Sequence, residues 1–264
     1  MTQGEGTLNT IQKLRKNGFL FQQLVHRDFT KKYKRTVLGI AWSILSPMLT
    51  LLIMNIIFGT MLGSSIEHYT IYLFSGQLIF SFFSDSTNEG MTSLLNNAEI
   101  FTKVNVPKYM FLFSKNVSSL INFGITLGIY FIFVIANGLP ITWKFILLLY
   151  PIGCLVVFNL GMGLILSALY VFFRDIQYLY SIFTMLLMYM SAIFYSIETF
   201  PAWGQNLFLL NPVYLYIRYF RKIVIEGTIP SPGFHLLALA YAVLAFGIGA
   251  LIYKKKNHSF LYYV

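Results

Sequence analysis

Apolar positions along this chain fall into long runs interrupted by isolated charges. An ionised side chain at the centre of a bilayer is costly, so the gaps between charges mark where the chain can cross lipid. Seven charge-free stretches have 17 or more residues: 36–66, 68–84, 116–143, 145–173, 176–197, 199–217 and 227–253. A span needs about 20 mostly apolar residues, because a rise of about 1.5 Å per residue must cover a core about 30 Å thick. Six stretches meet this, the second by borrowing polar residues such as Asp85 at one end. The stretch 199–217 does not. Its Pro201, Gly204, Gln205, Asn206, Asn211 and Pro212 break helices or add polar groups that lipid cannot satisfy. It is expected to form short helices that dip back from one face, shielded by protein. The expected fold is an all-α polytopic membrane protein with six transmembrane helices over 36–62, 69–90, 116–138, 144–173, 176–197 and 234–253. Re-entrant outer helices are expected in 198–233.

Charge placement gives an independent check. Basic residues near span ends favour the cytoplasmic side. The segment 1–35 carries eight Lys and Arg, and Lys254, Lys255 and Lys256 follow the last stretch, so both termini are expected inside. Six spans then put 15 of the 19 basic residues inside and leave Lys144, Arg218, Arg221 and Lys222 outside. Seven would put the triple lysine outside. The expected location is therefore a plasma (inner) membrane, multi-pass, with N- and C-termini cytoplasmic. The first 35 residues lack the continuous apolar core of a signal peptide. They predict an N-terminal amphipathic interface helix: Ile11, Leu14, Gly18, Phe21, Val25 and Phe29 recur at three- and four-residue intervals, with Lys13, Arg15, Lys16, Arg27 and Lys31 mostly elsewhere on the wheel. Such a helix can anchor on anionic lipid or dock a cytoplasmic partner.

Composition agrees. Of 264 residues, 57% are apolar, 18% aromatic and 11% charged, with a mean hydropathy of +0.68. A soluble domain usually carries roughly 25% charged residues, so the apolar excess faces lipid. The net charge of +10 is explained by topology and docking and needs no nucleic acid.

The candidate chemistry is mostly exclusion. No Gly-Lys dipeptide occurs, so no GxxxxGK[ST] phosphate loop is present. Cys154 stands alone, and His26, His68, His235 and His258 fall in different segments, so no metal site or catalytic group is expected. All nine carboxylates lie at span ends, in loops or in tails. Asp85 and Glu89 are four apart and can share one helix face, either as interface caps or in transport. Without buried acids a proton-coupled carrier is poorly supported, and energy for transport is expected from another chain. Gly124 and Gly128 fit GxxxG, and Gly161, Gly163 and Ser167 cluster in the fourth span; both patterns permit close helix packing. Aromatic residues around 185–195 fit a core, or a conduit that stacks on sugar rings.

Several local patterns together resemble the permease subunits of ABC-2 type polysaccharide exporters, which export O-antigen, capsule, teichoic acid or rhamnose-rich wall polymers. Arg27-Asp28, then Tyr33 through Trp42 with a Leu38-Gly39 pair, and Pro47 resemble the family's entry into its first span. Asn97, Ile100, Lys103 and Val106-Pro107-Lys108 resemble its coupling helix. Arg174-Asp175-Ile176 resembles an inner turn, and the segment from Phe194-Tyr195 through Pro201 to Asn211-Pro212 and Arg218 or Arg221 resembles the outer re-entrant helices. Ala192 stands where the family often has a proline.

The resemblance implies a single ABC-2 transmembrane domain over 1–264, with 91–115 as a coupling loop and 1–35 as a cytoplasmic gate segment. It implies two permeases working with two cytoplasmic ABC ATPase subunits, which bind the ATP and Mg; this chain binds no cofactor. A lipid-linked polymer then moves through a conduit at the homodimer interface. Coupling falls to Asn97, Glu99, Ile100, Lys103, Pro107 and Lys108, and gating to Lys31, Tyr33, Arg35, Gly39 and Trp42. Conduit lining falls to Trp42, Tyr189, Phe194 and Tyr195. Arg218, Arg221 and Lys222 form an outer basic cluster that either snorkels to headgroups or meets an anionic group on the polymer. Competing expectations are an exporter of a small lipid or drug-like substrate, a membrane-embedded transferase acting on lipid-linked sugars, and a non-catalytic scaffold.

Overall fold

The computed structural model describes residues 3–34, 36–62, 66–103, 106–198, 200–256, 260 and 263. Among the described residues the chain is helical, with no strand. The α-helices are α1 (Gln3–Tyr33), α2 (Trp42–Leu62), α3 (Tyr69–Thr92), α4 (Ala98–Lys103), α5 (Tyr109–Ala136), α6 (Leu149–Phe172), α7 (Ile176–Tyr189), α8 (Ala202–Phe208), α9 (Pro212–Val224) and α10 (Pro232–Lys256). Short 3-10 turns lead into α2 and α6.

Four helical stretches among the described residues are long and apolar enough to cross a membrane: Gly39–Gly59, Tyr109–Ala136, Trp143–Phe172 and Pro232–Lys256. Two further stretches expected to span behave differently, each for a physical reason. Helix α3 is enclosed by α2, α5, α6 and α9 and buries residues on most of its circumference, from Leu73 and Phe74 to Phe83 and Met91. Surrounded by protein over most of its length, it can keep Gln77, Asn88 and Glu89, which a lipid-facing helix could not. Helix α7 has 14 residues, a rise of only about 21 Å, and ends at Tyr189 where a helix to 197 was expected. Beyond it Ala192 takes φ +48, a left-handed conformation that an L-residue with a side chain seldom adopts.

Helix α5 begins at Tyr109, earlier than the expected 116, because Lys115 lies inside the helix and faces Asp28 at 3.4 Å. A charge held by protein does not mark a membrane boundary.

The tightest seam joins α6 to α10. A Cβ added at Gly161 would lie 2.3 Å from the Phe246 nitrogen, and one at Gly249 would lie 2.7 Å from the Gly161 carbonyl oxygen. Only glycine lets these backbones touch. Gly163 meets α3 beside Gly90, and Ser167 Oγ shares a 2.7 Å hydrogen bond with the Tyr253 hydroxyl. Gly124 and Gly128 depart from the packing expectation: they face open space on α5.

Helix α9 is buried almost all round, including Tyr214, Tyr216, Tyr219 and Phe220. Its start follows from the sequence: Asn211 Oδ1 accepts from the Val213 and Tyr214 nitrogens at 3.0 and 3.3 Å, and Pro212 occupies the first turn. Asn211 Nδ2 also donates to the Met190 carbonyl at 3.1 Å, tying this start to the end of α7. The side chains of 3–17 lie outside the described ones, among them Ile11, Leu14, Lys13, Arg15 and Lys16. From there on, α1 packs along α5 with Leu24 and Asp28 buried.

Candidate functional site

Three stripes of polar residues, uncharged except for Asp85, recur at helical spacing. Ser43, Ser46 and Thr50 share one face of α2; Gln77, Ser81 and Asp85 share one face of α3; Ser119, Asn122 and Thr126 share one face of α5. The three faces converge on a cleft of about 510 Å³, closed at one end by Lys32, Tyr33 and Trp42, with Phe74, Phe82 and Phe123 as apolar wall. From Asp85 to Phe74 the cleft follows α3 for about 16 Å, roughly half the thickness of a hydrocarbon core.

Part of this polar lining has no protein partner. Gln77 donates from Nε2 to Ser81 Oγ at 3.0 Å, and Asn122 Oδ1 accepts from the Tyr33 hydroxyl at 2.8 Å. Gln77 Oε1, Asn122 Nδ2 and Ser119 Oγ are buried without a hydrogen bond. An unmet buried polar group costs about 1–3 kcal/mol, so these three atoms are a cost the protein carries beside the cleft, whose lining combines hydroxyl and amide groups with the phenylalanine wall.

Charged contacts connect the cleft to α4. Arg27 Nη2 donates to Asp28 Oδ1 at 2.7 Å and to Asn97 Oδ1 at 2.8 Å. Asp28 in turn accepts from Ser114 Oγ at 3.0 Å and lies 3.4 Å from Lys115 Nζ. Asn97 is buried and also donates to the Ser93 carbonyl at 2.7 Å. Helix α4 follows directly, with Phe101 buried and Ile100 half-buried on the inner cluster, while Glu99 and Lys103 point outward. One turn along α1 from Asp28, Lys32 Nζ reaches Asp85 at 3.4 Å and Glu89 at 3.7 Å. Burial alone would lower the Lys32 pKa, but Asp85 and Glu89 outweigh it and hold the ammonium above its ordinary 10.5.

Among the expected gate residues, Tyr33 and Trp42 line the cleft, while Lys31 is exposed. Gly39 adopts φ +52 in the turn before α2, and Arg35 lies outside the described residues. Pro107 and Lys108 are half-buried, Lys108 Nζ lying 5.8 Å from the Phe101 ring and 5.6 Å from the Phe260 ring.

The expected conduit residues do not form one patch. Trp42 sits at the cleft end of α2, whereas Phe194 stacks on Phe58 near the other end of that helix, at 4.6 Å. Phe194 is only 5% exposed, so its ring belongs to the core. Tyr189 is exposed, and the Tyr195 hydroxyl donates to its carbonyl at 2.8 Å.

The outer basic trio separates as well. Arg218 pairs with Glu226, and Lys222 lies 3.7 Å from the same carboxylate. Arg221 departs from the expected outer contact, being 2% exposed. It donates to the carbonyls of Ala192 at 2.8 Å, Tyr72 at 3.0 Å and Ile193 at 3.2 Å, and to Ser75 Oγ at 3.2 Å. Its guanidinium stacks 3.4 Å from the Tyr72 ring centre. The bonds to Ala192 and Ile193 meet carbonyls beyond the end of α7, and those to Tyr72 and Ser75 tie them to α3. Gly76 admits the guanidinium, since a Cβ there would lie 2.8 Å from Arg221 Nη2.

The charge-gap reading missed the cleft because it counted only ionised residues. The signal was present as serine, threonine, asparagine and glutamine at three- and four-residue spacing within three stretches.

With this geometry in place, comparison with known proteins is informative. The family model described as ABC-2 type transporter matches residues 19–225. The chain is 28% identical over 248 residues to the O-antigen export system permease protein RfbA of Klebsiella pneumoniae, covering 92% of this chain and 95% of that one. It is 25% identical to the protein of the same name from Myxococcus xanthus, covering 96% and 98%. It is 23% identical to the polysialic acid transport protein KpsM of Escherichia coli, covering 91% and 94%.

Proposed function

The chain belongs to the ABC-2 type transporter family, and on that premise we propose that it is the membrane permease subunit of an ATP-driven exporter of a cell-surface polysaccharide or polyol-phosphate polymer carried on a lipid-linked end. Two copies form a homodimer and work with two copies of a cytoplasmic ABC ATPase that binds ATP and Mg. The protein sits in a bacterial inner membrane with both termini cytoplasmic, crossing it six times: α3 crosses shielded by its neighbours, α7 crosses as a short helix, and α8 and α9 re-enter from the outer face. The relatives' names, O-antigen export and polysialic acid transport, support the polymer class.

The observation that carries this reading is the polar cleft. Hydroxyl and amide stripes suit a polyol, and Tyr33 and Trp42 at its end offer faces on which sugar rings stack. A small apolar lipid or drug would make no use of the Ser46, Thr50 and Ser81 hydroxyls along the cleft. Coupling follows the charged contacts: the ATPase pushes α4, Asn97 passes the motion to Arg27 on α1, and Lys32 moves against Asp85 at the cleft end. Phe194 and Arg221 serve as structure, and the outer contact with an anionic polymer falls to Arg218 and Lys222.

Deleting the gene tests this. Surface polymer should disappear and accumulate inside the cell, and the tagged chain should co-purify with an ABC ATPase encoded beside it. Unchanged surface polymer, or transfer activity in the purified chain alone, would refute the reading.

A further inference from the structure

A second concavity, of about 540 Å³, lies where the start of α5 meets α6 and the end of α10. Phe113, Leu164, Phe246 and Ala250 form its walls, and Lys108 and Lys254 stand at its rim; among the described residues none that lines it is acidic. We propose that this groove binds an anionic phospholipid, with its phosphate between Lys108 and Lys254 and an acyl chain along the apolar walls.

Depth decides for lipid over an acidic protein. The walls belong to three of the helices long and apolar enough to span a membrane, so the groove runs from a basic rim into hydrocarbon. From Lys254 to Phe246 along α10 it extends about 12 Å, room for a substantial length of acyl chain but beyond the reach of a soluble partner. The rim has the complementary sign, and Lys255 and Lys256 continue it. Burial pushes the Lys108 ammonium below its ordinary 10.5, and a phosphate bound there would restore it. Tyr109 beside Lys108 is half-exposed, in keeping with the tyrosine belt at membrane interfaces.

The test measures binding of fluorescent phosphatidylglycerol to the purified full chain in detergent, with fluorescent phosphatidylcholine as reference. Lys108→Gln with Lys254→Gln should weaken phosphatidylglycerol by about thirtyfold, since each lysine near an anionic surface contributes about one fivefold factor, and should leave phosphatidylcholine unchanged. Ala250→Phe keeps both charges, fills the groove and should also weaken it severalfold. Lys255→Gln with Lys256→Gln should have a much smaller effect. Equal loss in the two lysine pairs would mean a diffuse basic surface and overturn the proposal. Lost ATPase co-purification with unchanged phosphatidylglycerol affinity would assign the lysines to a protein contact and do the same. If the first pair fails to fold, Ala250→Phe decides: wild-type affinity in that variant is contrary to the proposal.

Discussion

The two sides of α3 are built on opposite principles. On one, Gly90 meets Gly163 of α6, and Gly76 admits the Arg221 guanidinium against Tyr72, so backbones approach closely and a buried charge is met by four acceptors. On the other, Gln77, Ser81 and Asp85 border a cleft in which polar atoms lack protein partners. One helix thus serves as a rigid wall and as the lining of an open cleft. The difference teaches where substitution should cost stability and where it should cost transport.

The largest effect is expected on the rigid side of the bundle. Gly161→Val sets new atoms against the α10 backbone at 2.3–2.7 Å and should destabilise by at least about 3 kcal/mol, seen as loss of monodisperse protein in detergent. Arg221→Met removes the donors to Tyr72, Ala192 and Ile193 and should cost about 3 kcal/mol, measured as a lower midpoint of thermal unfolding. A midpoint equal to wild type would show that the break after α7 does not depend on this arginine.

On the cleft side the signs reverse. Gln77→Leu removes a buried acceptor without a partner together with the bond that Nε2 donates to Ser81 Oγ, so stability should stay within about 1 kcal/mol of wild type while export falls severalfold. Reduced stability with normal export would erase the contrast between the two sides. Lys32→Gln should change stability by less than about 1 kcal/mol, as for other partly exposed ion pairs, yet slow export. Because Lys32 is held above its ordinary 10.5, its ion pairing is intact at neutral pH, is lost in acid as Asp85 and Glu89 take up protons, and weakens in alkali as pH rises past the raised value. Unfolding midpoints of wild type and Lys32→Gln should therefore converge in acid and again in strong alkali.

Much of this organisation was legible in the residues. Proline and asparagine in 199–217 announced short helices, Asn211-Pro212 gave the start of α9, and Gly161 announced a close seam. What escaped has a common cause: a charge met by protein reads in the sequence like a charge met by water. Arg221 therefore looked like an outer surface residue and Lys115 like the edge of a span. The break after α7 was hidden for the complementary reason, since nothing in Ser191-Ala192 announces a φ of +48 that distant Arg221 and Tyr72 stabilise. The cleft required three stretches to be compared face by face, although each polar stripe was visible alone.

The central claim is that the cleft between α2, α3 and α5 carries the polymer. Its most direct test places a cysteine at Ser46 in a chain whose buried Cys154 is replaced by serine, and measures labelling by a membrane-impermeant maleimide in inside-out vesicles that contain the partner ATPase. Labelling should proceed in empty vesicles and be strongly protected when lipid-linked polymer is loaded without ATP. Equal labelling with and without polymer would contradict the account.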